Sequence, residues 1–172
     1  AHTISVIADG FVENLEKKGV PSNKITCIPN WVDVNFIKPL PKENNAFRIA
    51  NNLEGKFVVM YSGNIALTQG LETVVEAATH LRHIPEIQFV IVGESKAIEK
   101  LKQHSQACGA ENVTLLPFQP REKLPEMLAA ADVGLIVQKR NVVSFNMPSK
   151  TQVLLASGRA VIASVPSTGS AA

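Results

Sequence analysis

Five apolar runs of strand length, alternating with stretches of helical periodicity, narrow what this chain can fold into more than any other feature. The runs cover residues 57–61, 87–92, 113–116, 132–137 and 160–164, and they are nearly continuous rather than alternating. A strand reads that way when both of its faces are covered. Helices are expected between and around them, over residues 70–82, 95–108, 121–131 and 149–157. In the first, Leu71, Val74, Val75, Ala78 and Leu81 form one apolar stripe. This alternation predicts an α/β fold, a Rossmann-like parallel sheet flanked by helices with right-handed crossovers.

The part before residue 57 is less regular. A strand is expected over 4–8, then a helix capped by Asp9 with Phe11, Val12 and Leu15 on one face. Gly19 would stop it after Lys17 and Lys18. A second short strand, 25–28, closes at Pro29-Asn30. From Trp31 to Pro41 the chain turns irregular, with Pro39 and Pro41 blocking a helix, and reads as a linker. A helix over 43–54 would point Ala46, Phe47 and Ile49 inward. The division expected is therefore 1–40, the end of one domain plus a linker, and 41–172, the α/β domain. The first residue is not Met, and the last residues, Val165 to Ala172, form a loop with no closing helix. Both ends read as the edges of a piece of something larger, truncated at its C-terminus.

Composition removes several function classes. At 172 residues and 45% hydrophobic, the chain can bury a full core. A net charge of +2 with no run of Lys or Arg gives no case for nucleic acid. The apolar runs are too short to span a membrane, and no signal peptide is visible. Cys27 and Cys108 are far apart, fit no metal spacing and sit where core or a helix end is expected, as in a reduced cytoplasmic protein. His2, His80, His83 and His104 are scattered, the last three on helix surfaces, so no metal site and no Ser/His/Asp or Cys/His set suggests itself. The catalytic group stays unassigned.

In an open parallel sheet, ligands sit beyond the carboxyl ends of the strands, so the loops there carry the chemistry. After the first run come Gly63, Asn64 and Gly70, able to bring backbone N–H groups and a helix start close to an anion. They equally suit a helix entry that needs small residues. After the second, Gly93 offers room for a planar ring and Glu94 an acceptor for a hydroxyl, or the two form a plain turn with Ser95 as cap. After the third, Phe118 and Gln119 either pack or frame a base. The loop from Gln138 to Ser149 carries Lys139, Arg140, Asn141, Ser144 and Asn146, and leads into Pro148-Ser149-Lys150. A Lys in the first turn opposes the helix dipole, which makes sense if a diphosphate occupies that place. Lys150 is the strongest single candidate, a solvated surface lysine being its alternative.

These residues resemble the retaining GT-B glycosyltransferases of the "glycosyl transferase group 1" type. Ile25 to Asp33, with Phe36 and Pro39, is similar to the segment joining the family's two domains. Tyr61-Ser62-Gly63-Asn64 with Gln69-Gly70-Leu71-Glu72 resembles the glycine loop and first helix of its donor domain. Val113 to Val137 resembles its base-contacting loop and a helix ending Ala-Ala-Asp. Pro148-Ser149-Lys150 and Ala156 to Ser164 resemble the helix and strand that follow. The resemblance implies the C-terminal, donor-binding half of a GT-B fold. It also implies a hexosyltransferase-like enzyme of bacterial polysaccharide synthesis, taking a UDP- or GDP-linked sugar with no metal. Its acceptor, a saccharide or a lipid-linked one, would use a missing N-terminal domain, so the chain alone is expected to be inactive. Peripheral membrane association of the whole protein is compatible with this. The implied donor-binding set is Gly63, Asn64, Gly70, Gly93, Glu94, Phe118, Gln119, Arg140, Ser149 and Lys150. Two glutamates common in the family are replaced here by Phe145 and Val153, and its lysine before the helix glycine by Gln69. A GT-B nucleotide-sugar epimerase and a non-catalytic α/β binding domain are the rival readings.

Overall fold

A computed structural model describes residues 1–66, 68–141 and 147–167. Phe145, one of the positions compared with the family's glutamates, lies outside the described residues, as do Ser144 and Asn146.

The elements run β1 (Ile4–Val6), α1 (Asp9–Lys17), β2 (Ile25–Cys27), α2 (Ala46–Ala50), β3 (Phe57–Ser62), α3 (Glu72–His80), β4 (Ile87–Gly93), α4 (Ser95–Cys108), β5 (Val113–Pro117), α5 (Leu124–Ala129), β6 (Val133–Val137), α6 (Lys150–Ala156) and β7 (Ala160–Ser164). A 3-10 turn, Arg121–Lys123, leads into α5. β1 and β2 form a small parallel pair, while β3 to β7 form one five-stranded sheet in the order β5-β4-β3-β6-β7. Every pairing in that sheet is parallel, so the Rossmann-like α/β expectation is met.

The continuous runs bury both faces as their composition requires. Along β3, Val58 and Met60 face one core and Val59 and Tyr61 the other; β4 divides its Val90 and Val92 from Phe89 and Ile91 in the same way. α3 and α4 cover one face through Leu71, Val74, Val75, Ala78 and Leu101, four of them in the expected stripe. On the opposite face lie Phe47 of α2, Met127 and Leu128 of α5 and Leu154 of α6. The run at 160–164 departs from this rule: β7 is an edge strand, and its Ile162 is 58% exposed.

Other departures are local. α1 starts after Ala8, with Asp9 as its first residue rather than its cap. α2 is shorter than expected and buries Phe47 and Arg48, while Ile49 is exposed. Arg48 turns inward because its guanidinium finds partners there: the carbonyls of Ala130, Leu53 and Lys56, and the Asp132 carboxylate at 2.6 Å. Asp132 also takes Lys42 and the Val58 N–H. Burial pushes its carboxyl up, but the bonds from Lys42, Val58 and Arg48 outweigh that and hold it below the usual range. Cys27 is exposed rather than in the core, and Cys108 ends α4.

The irregular stretch before α2 is strapped to the sheet. Ile37 is buried in the core beside Phe36 and Val32. Arg159 donates to the Leu40 carbonyl at 2.9 Å, and the Pro39 ring fills the space a side chain at Gly158 would need.

Candidate functional site

The strand order places the candidate site. From β3 the chain winds outward through β4 to β5, then returns to the other side of β3 for β6 and β7. The loops after β3 and β6 therefore diverge at the carboxyl edge and open a crevice there. Two backbone bonds tie its rim: Lys139 N–H donates to the Thr68 carbonyl at 2.8 Å, and Gly63 N–H to the Val92 carbonyl at 3.0 Å. A cleft of about 760 Å³ opens at this edge. It brings together Gly63, Asn64, Phe118, Gln119, Ser149 and Lys150, six of the ten residues expected from the sequence.

Lys150 points into the protein, not into solvent. Its Nζ lies 3.0 Å from where a Cβ on Gly63 would sit and 3.4 Å above the centre of the Tyr61 ring. The ammonium is buried and has no hydrogen-bond partner among the described residues. Burial pushes its pKa down from 10.5 to about 7. Gly63 adopts φ +144°, so that position asks for glycine twice over: for its backbone and for the space Lys150 occupies. Tyr61 is fully buried, and its hydroxyl donates to the Asn64 carbonyl at 2.7 Å. The only charged side chains lining the cleft among the described residues are Lys150 and Arg121; no carboxylate joins them. Such a cleft suits an anion.

Other expected contributions change on inspection. The Gly63 N–H already serves Val92, so it is not available to cradle a phosphate in this conformation. Ser149 precedes α6 without capping it by its side chain, and Glu94 rather than Ser95 holds the capping position before α4, also without a side-chain bond. Gly93 does not line the cleft, and the space a ring would need there is filled by Ile65, whose Cδ1 is 2.3 Å from the position of a Cβ. Glu94 is exposed and borders a separate groove between the 65–66 turn and α4. Gly70 is buried beneath the methylenes of Lys139, which accounts for its glycine by packing. Arg140 is exposed and does not line the cleft.

Sequence reasoning missed four contributors. Asn30, placed at the close of the second short strand, and Trp31, placed in the linker, line the cleft, and Trp31 is 84% exposed. Arg121 also lines it and stands 5.4 Å from the Phe36 ring centre. The fourth is Tyr61, which read as the last residue of a strand.

Among known proteins, the pattern of the family described as "Glycosyl transferases group 1" matches residues 42–142. The chain is similar to WcaI of Escherichia coli, named for a glycosyl transferase role in colanic acid biosynthesis: 36% identical over 162 residues, 92% of this chain and 40% of that protein. It is likewise similar to WbjE of Pseudomonas aeruginosa, 22% identical over 95% of this chain and 40% of that one. The chain thus spans about 40% of the length of these relatives. In structure it superposes on Anabaena HepE in complex with UDP, with TM-score 0.81 at 19% identity, over 99% of this chain and 46% of that one. It also resembles the C-terminal domain of LpcC of Francisella tularensis, with TM-score 0.58 at 23% identity, over 77% of this chain and 69% of that one.

Proposed function

Since this chain belongs to the glycosyl transferases group 1 and has the fold of their C-terminal GT-B domain, we propose that its cleft binds the diphosphate of a nucleotide-sugar donor. The whole protein would then transfer that sugar to a saccharide or lipid-linked acceptor bound mainly by another domain. One observation carries the reading: among the described residues, a buried ammonium with no hydrogen-bond partner faces a cleft whose other charged wall is Arg121, with no carboxylate beside them. A diphosphate gives that ammonium the partner it lacks. Charge-assisted bonds from Lys150 and Arg121 would stabilise the leaving diphosphate without a metal. Phe118 and Gln119 flank the place for a base, and the Asn64 side of the turn approaches the phosphates. Arg140, Glu94, Gly70 and Gly93 have no direct part in this reading.

The donor is taken as UDP- or GDP-linked; HepE was solved with UDP and with UDP-glucose, which favours trying UDP first. An epimerase needs acid/base groups facing the sugar, and no carboxylate or histidine lines this cleft among the described residues. Among those same residues no helix is long and apolar enough to cross a membrane; cytoplasmic placement, with the whole protein touching the membrane only at its surface, belongs to the same proposal.

Calorimetric titration of the chain with UDP, GDP and ADP tests this. Binding of UDP or GDP should weaken roughly 10- to 150-fold in Lys150→Ala, the loss expected for a charge-assisted contact. Absence of binding by all three nucleotides at millimolar concentration, with the fold intact, would overturn it.

A further inference from the structure

Tyr61 is fully buried between aliphatic neighbours in the central strand of the sheet, whereas that strand's other aromatic, Phe57, is exposed at its start. A leucine would fill such a core position without a polar group to satisfy. The hydroxyl and the ring face each have a distinct partner. The hydroxyl donates to the Asn64 carbonyl, fixing the turn that leaves β3. The ring face lies 3.4 Å beneath the Lys150 Nζ.

We propose that Tyr61 is a positioning residue of the cleft: its ring holds the Lys150 ammonium in place for an anion, and its hydroxyl fixes the turn beside it. This rests on the donor-binding reading above. The ring is the one partner shown for that ammonium among the described residues. Lys150 approaches Tyr61 and Gly63; the uncharged Ser62, Asn64 and Gln69 of the same strand and turn line the cleft with it, and its neighbours in its own helix, Thr151 and Gln152, are uncharged as well. Across the cleft stand Phe118, Gln119, Asn30 and Trp31, and the single charged group there, Arg121, carries the same sign. A desolvated ammonium with no acceptor either loses its proton or swings its flexible stem out to water. The negative face of an aromatic ring opposes both outcomes, because it attracts the cation without consuming its N–H donors. Those donors remain for phosphate oxygens. Because burial sets the Lys150 pKa at about 7, a modest change in what lies beneath the ammonium moves its charge within the neutral range.

The test follows the Lys150 side chain by NMR in the nucleotide-free chain, its signal assigned with Lys150→Arg. Tyr61→Phe keeps the ring and should leave the titration midpoint in place. Fluorinating that phenylalanine weakens the ring face at nearly constant shape, and each added fluorine should lower the midpoint. Tyr61→Leu should lower it by about 0.5 to 1.5 pH units, the range a cation–ring contact commands. In each protein the pH dependence of UDP affinity should shift in parallel. An unchanged midpoint through the fluorinated series would overturn the proposal, and that series decides it even where Tyr61→Leu fails to fold. A series that shifts as expected in protein that binds no nucleotide would sustain the positioning role and defeat the donor-binding reading instead.

Discussion

A buried ammonium with no acceptor is a liability to the fold, and Lys150 illustrates how such a residue can be found. Its position in the first helical turn, against the dipole, was legible in the sequence. Its ring partner was not, because Tyr61 and Lys150 are 89 positions apart (150 minus 61) and no periodicity links them. The reverse happened with Gly63: a small residue after a strand suggested free amides, but its N–H is committed to Val92. Gly93 and Gly70 make the same point, since a glycine required by a neighbouring Ile65 or Lys139 looks in sequence like one required by a ligand. If Lys150 is there for a ligand, replacing it should relieve the protein. Lys150→Met is expected to raise stability at pH 7 by about 1–3 kcal/mol, the cost of an unsatisfied buried polar group, while weakening nucleotide binding as Lys150→Ala does. The pH dependence has a definite sign. With the folded-state pKa at about 7 against an ordinary 10.5, the unfolded chain holds more protons between those values. Stability of the native protein should therefore rise with pH across that window, and the Lys150→Met protein should lose this contribution. Nucleotide affinity runs the other way, falling as pH rises through 7 and the ammonium is lost. Thermal unfolding and calorimetry over pH 6–9 read both.

Strands and helices with strong patterns were legible because burial on two faces leaves a continuous apolar run and burial on one leaves a stripe. α4 falls on its expected residues, and α3 and the five strands lie within two residues of theirs. α2 resisted because its inward charge, Arg48, answers to Asp132, a residue 84 positions away. The Ala-Ala-Asp ending of the α5 segment marks that place in sequence but gives no clue to what the carboxylate holds. Asp132, whose side chain is only 8% exposed, ties α2 to the starts of β3 and β6. Breaking a buried pair by removing one member leaves the other unpaired, so Asp132→Ala should cost about 3–5 kcal/mol in chemical denaturation. Replacing Arg48 and Asp132 together by leucine and alanine should cost less than the two single changes summed. Because its folded-state pKa is depressed, the Asp132 contribution is in full force above the ordinary carboxylate value and is lost as pH falls through the lowered one. A double-mutant cycle with unaltered stability in the singles would contradict this role.

At the scale of the whole chain, the order β5-β4-β3-β6-β7 is what turns a list of loops into a cleft. The sequence supplied the parallel sheet and the rule that its carboxyl edge binds ligands. It did not show which loops would face one another, so Arg140 and Glu94 seemed as eligible as Phe118. Nor did it show that the linker belongs to the site, with Asn30 and Trp31 on the cleft wall and Ile37 in the core. That packing predicts the outcome of truncation. A chain starting at residue 30 should unfold as cooperatively as the full chain, whereas one starting at residue 42 should melt well below it, having lost Ile37, the Pro39 contact and the Leu40 carbonyl. On the donor-binding reading, the cleft at the strand-order reversal places Lys150 against a diphosphate. A crystal structure of the chain with UDP measures this directly. A phosphate oxygen should lie within about 3 Å of the Lys150 Nζ, with the base toward Phe118 and Gln119. UDP seated in the groove lined by Glu94, Lys96 and Lys100, or in the cleft with its phosphates turned away from Lys150, would contradict it.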